Sequence, residues 1–291
     1  MNFLKYTYIY IAISLIVLLP GLFSLATNGL KPSIDFVGGS LLEIVAVGEQ
    51  RDPLTIQTAA ETVYKVESVQ SSEQNRYLIK GENIDNDTKN KAIDAIRASL
   101  GTEVSVLRFE TIGPTLSKEL LKKTYTAIAI VAVMITLFVA KQFKEWKYGV
   151  SAVLAMFHDT LILVGSFSLF GYFMGVEVDV LFVTAVLPTL SFSVPDTIVV
   201  FDRIRALRQT NARVPYRDVL NSAITETMSR SINNSMTIII MLTALSLLGG
   251  DTIRWFSIAL LIGAITGTYS SPFVAVPLLL AWEKYVAKKK V

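Results

Sequence analysis

Six apolar runs divide the chain. They cover residues 6–23, 124–140, 148–171, 180–201, 231–248 and 256–282. A helix needs about 20 apolar residues to cross a bilayer, so each run predicts a membrane span. The last is long and is expected to tilt or to end near Pro277. The first follows Lys5 and resembles a signal peptide in outline. It has no small-x-small cleavage site and five more spans follow, so it reads as an uncleaved anchor.

The pattern changes between the first two spans, over residues 24–123. Apolar and polar positions alternate at 41–47, 77–80 and 103–109, and more weakly at 66–69, which predicts strands. Helices are predicted at 53–64, with Asp52 as N-cap and Pro53 in the first position, and at 87–100, stopped by Gly101. The order strand, helix, strand, strand, helix, strand is the split-βαβ, ferredoxin-like plan. No nucleophile, telling carboxylate pair or glycine-rich phosphate loop stands in this segment. It reads either as a docking or substrate-contacting module or as a spacer that packs on partner domains. The expected fold is a polytopic α-helical membrane protein with six transmembrane helices and a small α+β extracytoplasmic domain. The expected organisation is an anchor helix at 1–23, that domain at 24–123, and a five-helix membrane region at 124–291 with cytoplasmic loops at 141–147 and 203–230, the second including an interfacial helix with Pro215 near its start.

Composition supports this division. The 291 residues are 52% hydrophobic and 18% charged, with mean hydropathy +0.50. Soluble chains run nearer 25% charged. A disordered protein is excluded, and so is a nucleic-acid binder with its basic face. Cysteine is absent and His158 is the one histidine, which removes disulfides, thiol nucleophiles and histidine-rich metal sites. No enzyme chemistry is visible, and no metal or cofactor is expected.

The position of the charges sets the orientation. Lys5, then Lys141, Lys144 and Lys147, then Arg203, Arg205, Arg208, Arg213, Arg217 and Arg230, then Lys284, Lys288, Lys289 and Lys290 all fall on one side. The short loops on the other side hold Arg254 alone. The positive-inside rule predicts that both termini are cytoplasmic. The long segment carries twelve of the 27 Lys and Arg, but long domains translocate regardless of charge.

An ionisable residue inside a span costs about 2.5–3.5 kcal/mol on insertion scales, so each one needs a reason. Asp196 lies between prolines 188 and 195 and the basic edge, about 10 Å from Arg203 along a helix. The prolines are expected to break the helix there. A carboxyl at that depth is costly to ionise and can load and unload a proton. The alternative is an Asp that caps a kinked helix with Thr197. His158 and Asp159 lie in the third span, Asp159 roughly 16 Å in. They read as a second relay pair, or as a hydrogen-bonded pair that fixes the bundle. Arg230 reads as a flank paired with Glu226 at i, i+4, or as a counter-ion for Asp196. Asp202 and Arg203 open a membrane-edge cluster. Gly263 and Gly267, with Ser270 and Ser271 below them, like Gly165, Ser166, Ser168 and Gly171, mark close helix packing.

Several of these residues fall into longer motifs. Asp35-Phe36-Val37-Gly38-Gly39-Ser40 follows the first span, and Ile112-Gly113-Pro114-Thr115 through Glu119-Leu120 enters the second. Phe157-His158-Asp159 stands in the third. Asp196-Thr197-Ile198-Val199-Val200-Phe201-Asp202-Arg203-Ile204-Arg205 closes the fourth. Together they resemble the SecD/SecF family of protein-export membrane proteins, of the resistance-nodulation-division superfamily. The resemblance covers essentially the whole chain. It departs where the family reads G-Y-S-x-N-D and this chain has Ser191-Phe192-Ser193-Val194-Pro195-Asp196, which removes an amide beside the acid.

The resemblance implies a subunit of the export machinery in the cytoplasmic (inner) membrane, using the proton-motive force to promote translocation. It implies a pseudo-symmetric SecD partner, the SecYEG translocon, YajC, exported preproteins and the lipid bilayer as surroundings, and no nucleic acid. The coupling ion is a proton or sodium. Asp196 and Arg230 are implied as the coupling pair. Two other readings stand beside this one: a non-conducting scaffold of the export complex, and a half-transporter for a lipid or small molecule.

Overall fold

The computed structural model describes residues 2–48, 51–72, 75–143, 145–210 and 213–289. Lys144 and Lys290, counted among the basic flanks, lie outside the described residues. The chain forms two compact units. One comprises Met1–Lys31 with Thr126–Val291, and the other Pro32–Tyr125.

The smaller unit begins with a single helical turn, α2 (Ile34–Val37), capped by Ser33, whose Oγ accepts from the Asp35 N–H. The elements that follow are β1 (Gly39–Ala46), α3 (Pro53–Glu61), β2 (Val66–Ser72), β3 (Arg76–Gly81), α4 (Asn86–Leu100) and β4 (Val104–Ile112). The strand–helix order agrees with the alternation in the sequence. The sheet order is β2-β3-β1-β4 and all three pairings are antiparallel. Asp52 caps α3 by accepting from the Leu54 N–H, with Pro53 in the first turn. Gly101 ends α4 in the left-handed conformation. The helices and the sheet share a core of Leu42, Ile44, Ile56, Tyr77, Ile79 and Ile96, none with any exposed surface. Burial of each aliphatic side chain contributes about 1.5–3 kcal/mol.

The larger unit contains α1 (Thr7–Thr27), the membrane part of α5 (Pro114–Gln142), α6 (Trp146–Met174), α7 (Val180–Thr210), α8 (Tyr216–Leu248), α9 (Asp251–Ser270) and α10 (Val276–Lys289). These form six helices long and apolar enough to span a membrane, with α9 and α10 joined in the last one. Two connections are shorter than the sequence suggests. Only residues 143–145 separate α5 from α6, and α7 runs to Thr210 while α8 starts at Tyr216. Residues 203–230, expected as a loop with an interfacial helix, are therefore mostly helix, and α8 does start next to Pro215. Hydropathy marks the lipid-covered length of a helix, not its full length. The polar ends continue as helix because their charges pair: Arg205 with Asp202 at 3.2 Å, and Arg203 across to Glu226.

The expected break in the fourth span is also absent, since α7 is continuous through Pro188 and Pro195. Both proline rings lie on its exposed face. Hydroxyls bond back to nearby carbonyls, Ser191 Oγ to Pro188 O at 2.7 Å and Thr197 Oγ1 to Ser193 O at 2.8 Å. The real irregularity is in the last span, which does not end near Pro277. A π-turn at Ser271–Ala275 interrupts it, and α10 then carries the helix through Pro277. Pro277 has no N–H for the carbonyl of residue 273, and a wider turn absorbs the mismatch.

The helices approach closely at glycines. A Cβ on Gly21 would lie 3.0 Å from the backbone of Gly165, and one on Gly267 3.0 Å from the Ser193 nitrogen. A Cβ on Gly263 would collide with the Thr189 side chain. Two apolar clusters result. One gathers Ala155, Val194, Phe201, Leu220 and Leu279, the other Leu163, Phe167, Phe182, Val186 and Ala259. Along α6 and α7 a short polar stretch separates them.

Candidate functional site

That stretch is a hydrogen-bonded cluster built from α6, α7 and the end of α9. Asp159 on α6 is 3% exposed and holds its centre. With His158 Nδ1 as donor, Asp159 Oδ1 accepts at 3.0 Å. Asp159 Oδ2 accepts from Ser270 Oγ at 2.6 Å. A carboxylate oxygen at that distance from a hydroxyl makes a strong, charge-assisted bond. Ser270 Oγ lies 3.2 Å from Ser193 Oγ on α7. Next to it, Ser271 Oγ lies 2.8 Å from Thr197 Oγ1 and donates to Ser193 O at 3.3 Å. Ser193, Thr197, Ser270 and Ser271 are all fully or almost fully buried. The close approach of Gly267 to Ser193 is what lets these hydroxyls meet. His158 Nε2 is buried with no partner among the described residues.

Asp196 stands one turn beyond Ser193 on α7 and is half-buried. Its carboxyl makes no hydrogen bond or ion pair among the described residues. It caps nothing, and Thr197 is used in the hydroxyl cluster instead. Arg230 is exposed and lies well inside α8, because that helix starts fourteen residues earlier, at Tyr216. Its expected partner Glu226 pairs instead with Arg203 of α7. That pair sets the register of the antiparallel α7–α8 hairpin. Seven residues, nearly two full turns, separate Arg203 from Asp196 and Glu226 from Asn233. The long Arg and Glu side chains span about a turn, so Asp196 stands opposite the turn of α8 that runs from Arg230 to Asn233. The structure brings Asp196 and Arg230 to neighbouring levels of one hairpin but does not pair them.

The glycine motif occupies a different place, inside the smaller unit. Gly38 and Gly39 have φ of +80° and +120°. A Cβ on Gly38 would lie 3.3 Å from both the Ile112 carbonyl oxygen and Ser117 Oγ, and 3.5 Å from Pro114 Cα. A Cβ on Gly39 would lie 2.6 Å from the Gly81 carbonyl oxygen. Ser40 Oγ donates to Glu82 O at 2.8 Å. The motif after the first span and the Gly113-Pro114 motif before the second thus meet where β1 starts and β4 ends. Asp35 lies in the turn just before them. Sequence reasoning singled out both motifs without their contact, and it passed over Gly81.

Sequence reasoning also set Ser270 and Ser271 down as packing residues, and it gave Ser193 no role. Serines are ordinary in membrane helices, and only their convergence on Asp159 distinguishes these.

A six-span helical bundle built around a buried carboxylate and a second, half-buried one is a polytopic membrane protein with an intramembrane acidic site. The comparisons with known proteins are more specific. The profile described as "Protein export membrane protein SecD/SecF, C-terminal" matches residues 92–285, and the "SecD/SecF GG Motif" matches residues 23–46. A relative from Anaerolinea thermophila, "Protein translocase subunit SecF", is 38% identical over 97% of this chain and 94% of its own length. "Protein translocase subunit SecDF" of Thermus thermophilus is 36% identical over 62% of this chain and 24% of its length. A crystal structure of SecDF from Thermus, titled "a translocon-associated membrane protein", matches with TM-score 0.85 and 29% identity. It covers 98% of this chain, which spans 39% of the length of that protein. The chain belongs to the SecD/SecF family of protein-export membrane proteins.

Proposed function

We propose that this chain is a subunit of the protein-export machinery that uses the proton-motive force to promote translocation of secreted proteins. In this reading Asp196 takes up and releases the proton, Arg230 is its counter-ion, and Asp159 with His158 forms a second relay group. The supporting observation is the place of Asp196. It stands half-buried on α7, without a partner among the described residues, one turn from a hydrogen-bonded cluster that leads to Asp159. A carboxyl so placed is not held in one charge state by a fixed partner. Protonation would weaken its attraction to Arg230 and let α7 and α8 shift against each other.

The energetics are consistent with several protons per event. One proton moving down 100 mV supplies about 2.3 kcal/mol, and couplings between sites run about 1–3 kcal/mol. The reading places the chain in the cytoplasmic membrane with both termini cytoplasmic. The smaller unit, on a ferredoxin-like plan, is then extracytoplasmic. SecD is the pseudo-symmetric partner, with SecYEG, YajC and the exported preproteins around the pair. A relative that carries the name SecDF in one longer chain supports the SecD partner.

The test is Asp196→Asn in an export assay with and without a membrane potential. Potential-dependent export should fall at least tenfold, with the complex still assembled. Undiminished export would overturn the role of Asp196, and loss of assembly would make the residue a scaffold contact. Export that follows a sodium gradient and ignores a proton gradient would reassign the ion.

A further inference from the structure

We infer that Ser270 is a positioning residue that transmits the protonation of Asp159 to the π-turn of the last span. The inference rests on the proton-handling reading above and adds to it a second acid with its own readout. The geometry is specific. The Ser270 hydroxyl has one hydrogen and three acceptors in reach, Asp159 Oδ2 at 2.6 Å, Ser193 Oγ at 3.2 Å and the Gly267 carbonyl at 3.3 Å. Ser271, the first residue of the π-turn, competes for the same Gly267 carbonyl at 3.1 Å. Ser270 and Ser271 have no exposed surface, so no solvent competes for these bonds.

When Asp159 is ionised, its charge holds the Ser270 hydrogen. A proton that arrives on Asp159 Oδ2 reverses the bond, and the carboxyl then donates to Ser270 Oγ. The Ser270 hydrogen is then free to rotate to Ser193 Oγ of α7 or to Gly267 O, and no covalent bond to the Ser270 oxygen breaks. At Gly267 O it meets the Ser271 hydroxyl, which also has Thr197 Oγ1 at 2.8 Å and Ser193 O at 3.3 Å in reach. One proton thus changes the bonding of the first π-turn residue and of α7 together. π-turns sit one residue out of register with α-helix, so they provide two discrete arrangements to choose between.

Among the described residues, His158 is the titratable neighbour that bonds Asp159 on α6. On α7 Asp196 stands one turn beyond Ser193, and on α9 Tyr269 precedes Ser270 and donates to the Tyr10 carbonyl of α1. The π-turn has no charged residue. On α10, Glu283 pairs with Lys147, which is twelve residues from Asp159 on α6.

The experiment is amide hydrogen exchange over residues 270–276 of the full chain in lipid nanodiscs, as a function of pH and corrected for intrinsic rates. Protection in the unsubstituted chain should change at least threefold across the titration. Asp159→Asn and Ser270→Ala should abolish that change. Ser270→Thr, which keeps the hydroxyl, should retain it, and so should Asp196→Asn. Protection independent of pH in the unsubstituted chain would overturn the inference, as would a full response in Ser270→Ala. If Ser270→Ala does not fold, Asp159→Asn and Ser270→Thr decide in its place. Because Asp196→Asn keeps this response, failure of the export reading leaves it standing, and the two failures are distinguishable.

Discussion

Gly39 is held at φ +120° with the Gly81 carbonyl oxygen 2.6 Å from where a Cβ would stand. Both facts exclude any other residue without a shift of the strand. Gly39→Ala should destabilise the smaller unit by about 3 kcal/mol, measured as lost amide-exchange protection over β1 and β3 in the intact chain. Tyr64 makes the opposite case. Its hydroxyl is buried without a partner among the described residues, and burial pushes its pKa from 10.0 to about 12. The unfolded chain releases this proton first, so stability is complete below about pH 10 and is lost as pH rises towards 12. Tyr64→Phe should remove that alkaline loss. At neutral pH it should also stabilise the unit by about 1 kcal/mol, since an unpaired buried hydroxyl disappears. Exchange protection at the two pH values tests both effects. Asp159, His158 and Asp196 were legible in the sequence because the spans around them hold almost no charge. Ser193 and Ser270 were not. They are 77 residues apart, and Ser270 is 111 from Asp159, so no local pattern joins them.

At the scale of elements, capping and alternation placed the small strands and helices within a few residues, because those signals act through neighbours in the chain. The long helices were harder to bound. Apolar content locates the part that lipid covers, while Arg203, Arg205 and Glu226 extend α7 and α8 beyond it through pairing that depends on the hairpin. Proline was misleading for the same reason. Pro188 and Pro195 lie on the outer face of α7 and leave it continuous, whereas the last span adjusts ahead of Pro277. The register of the α7–α8 hairpin is open to direct test, because the chain has no native cysteine. Asp196→Cys paired with Asn233→Cys should react with a short bifunctional maleimide as readily as Arg203→Cys paired with Glu226→Cys. Asp196→Cys paired with Thr237→Cys, about 6 Å further along the axis, should react several-fold more slowly. Equal yields would discard the register.

At the scale of the whole molecule, local composition alone was enough to determine six spans, a separate α+β segment and the family to which the chain belongs. Each of these is written in neighbouring residues: twenty apolar positions in a row, an alternation of period two, a contiguous motif. The tertiary structure decided what those elements do to one another. It joined the two glycine motifs at the start of β1, gave Glu226 to Arg203 instead of Arg230, and brought four hydroxyls together beside Asp159, one of them bonded to it. The reason is physical. A buried carboxylate must find donors, and in an apolar bundle those donors come from whichever helices glycine allows to approach.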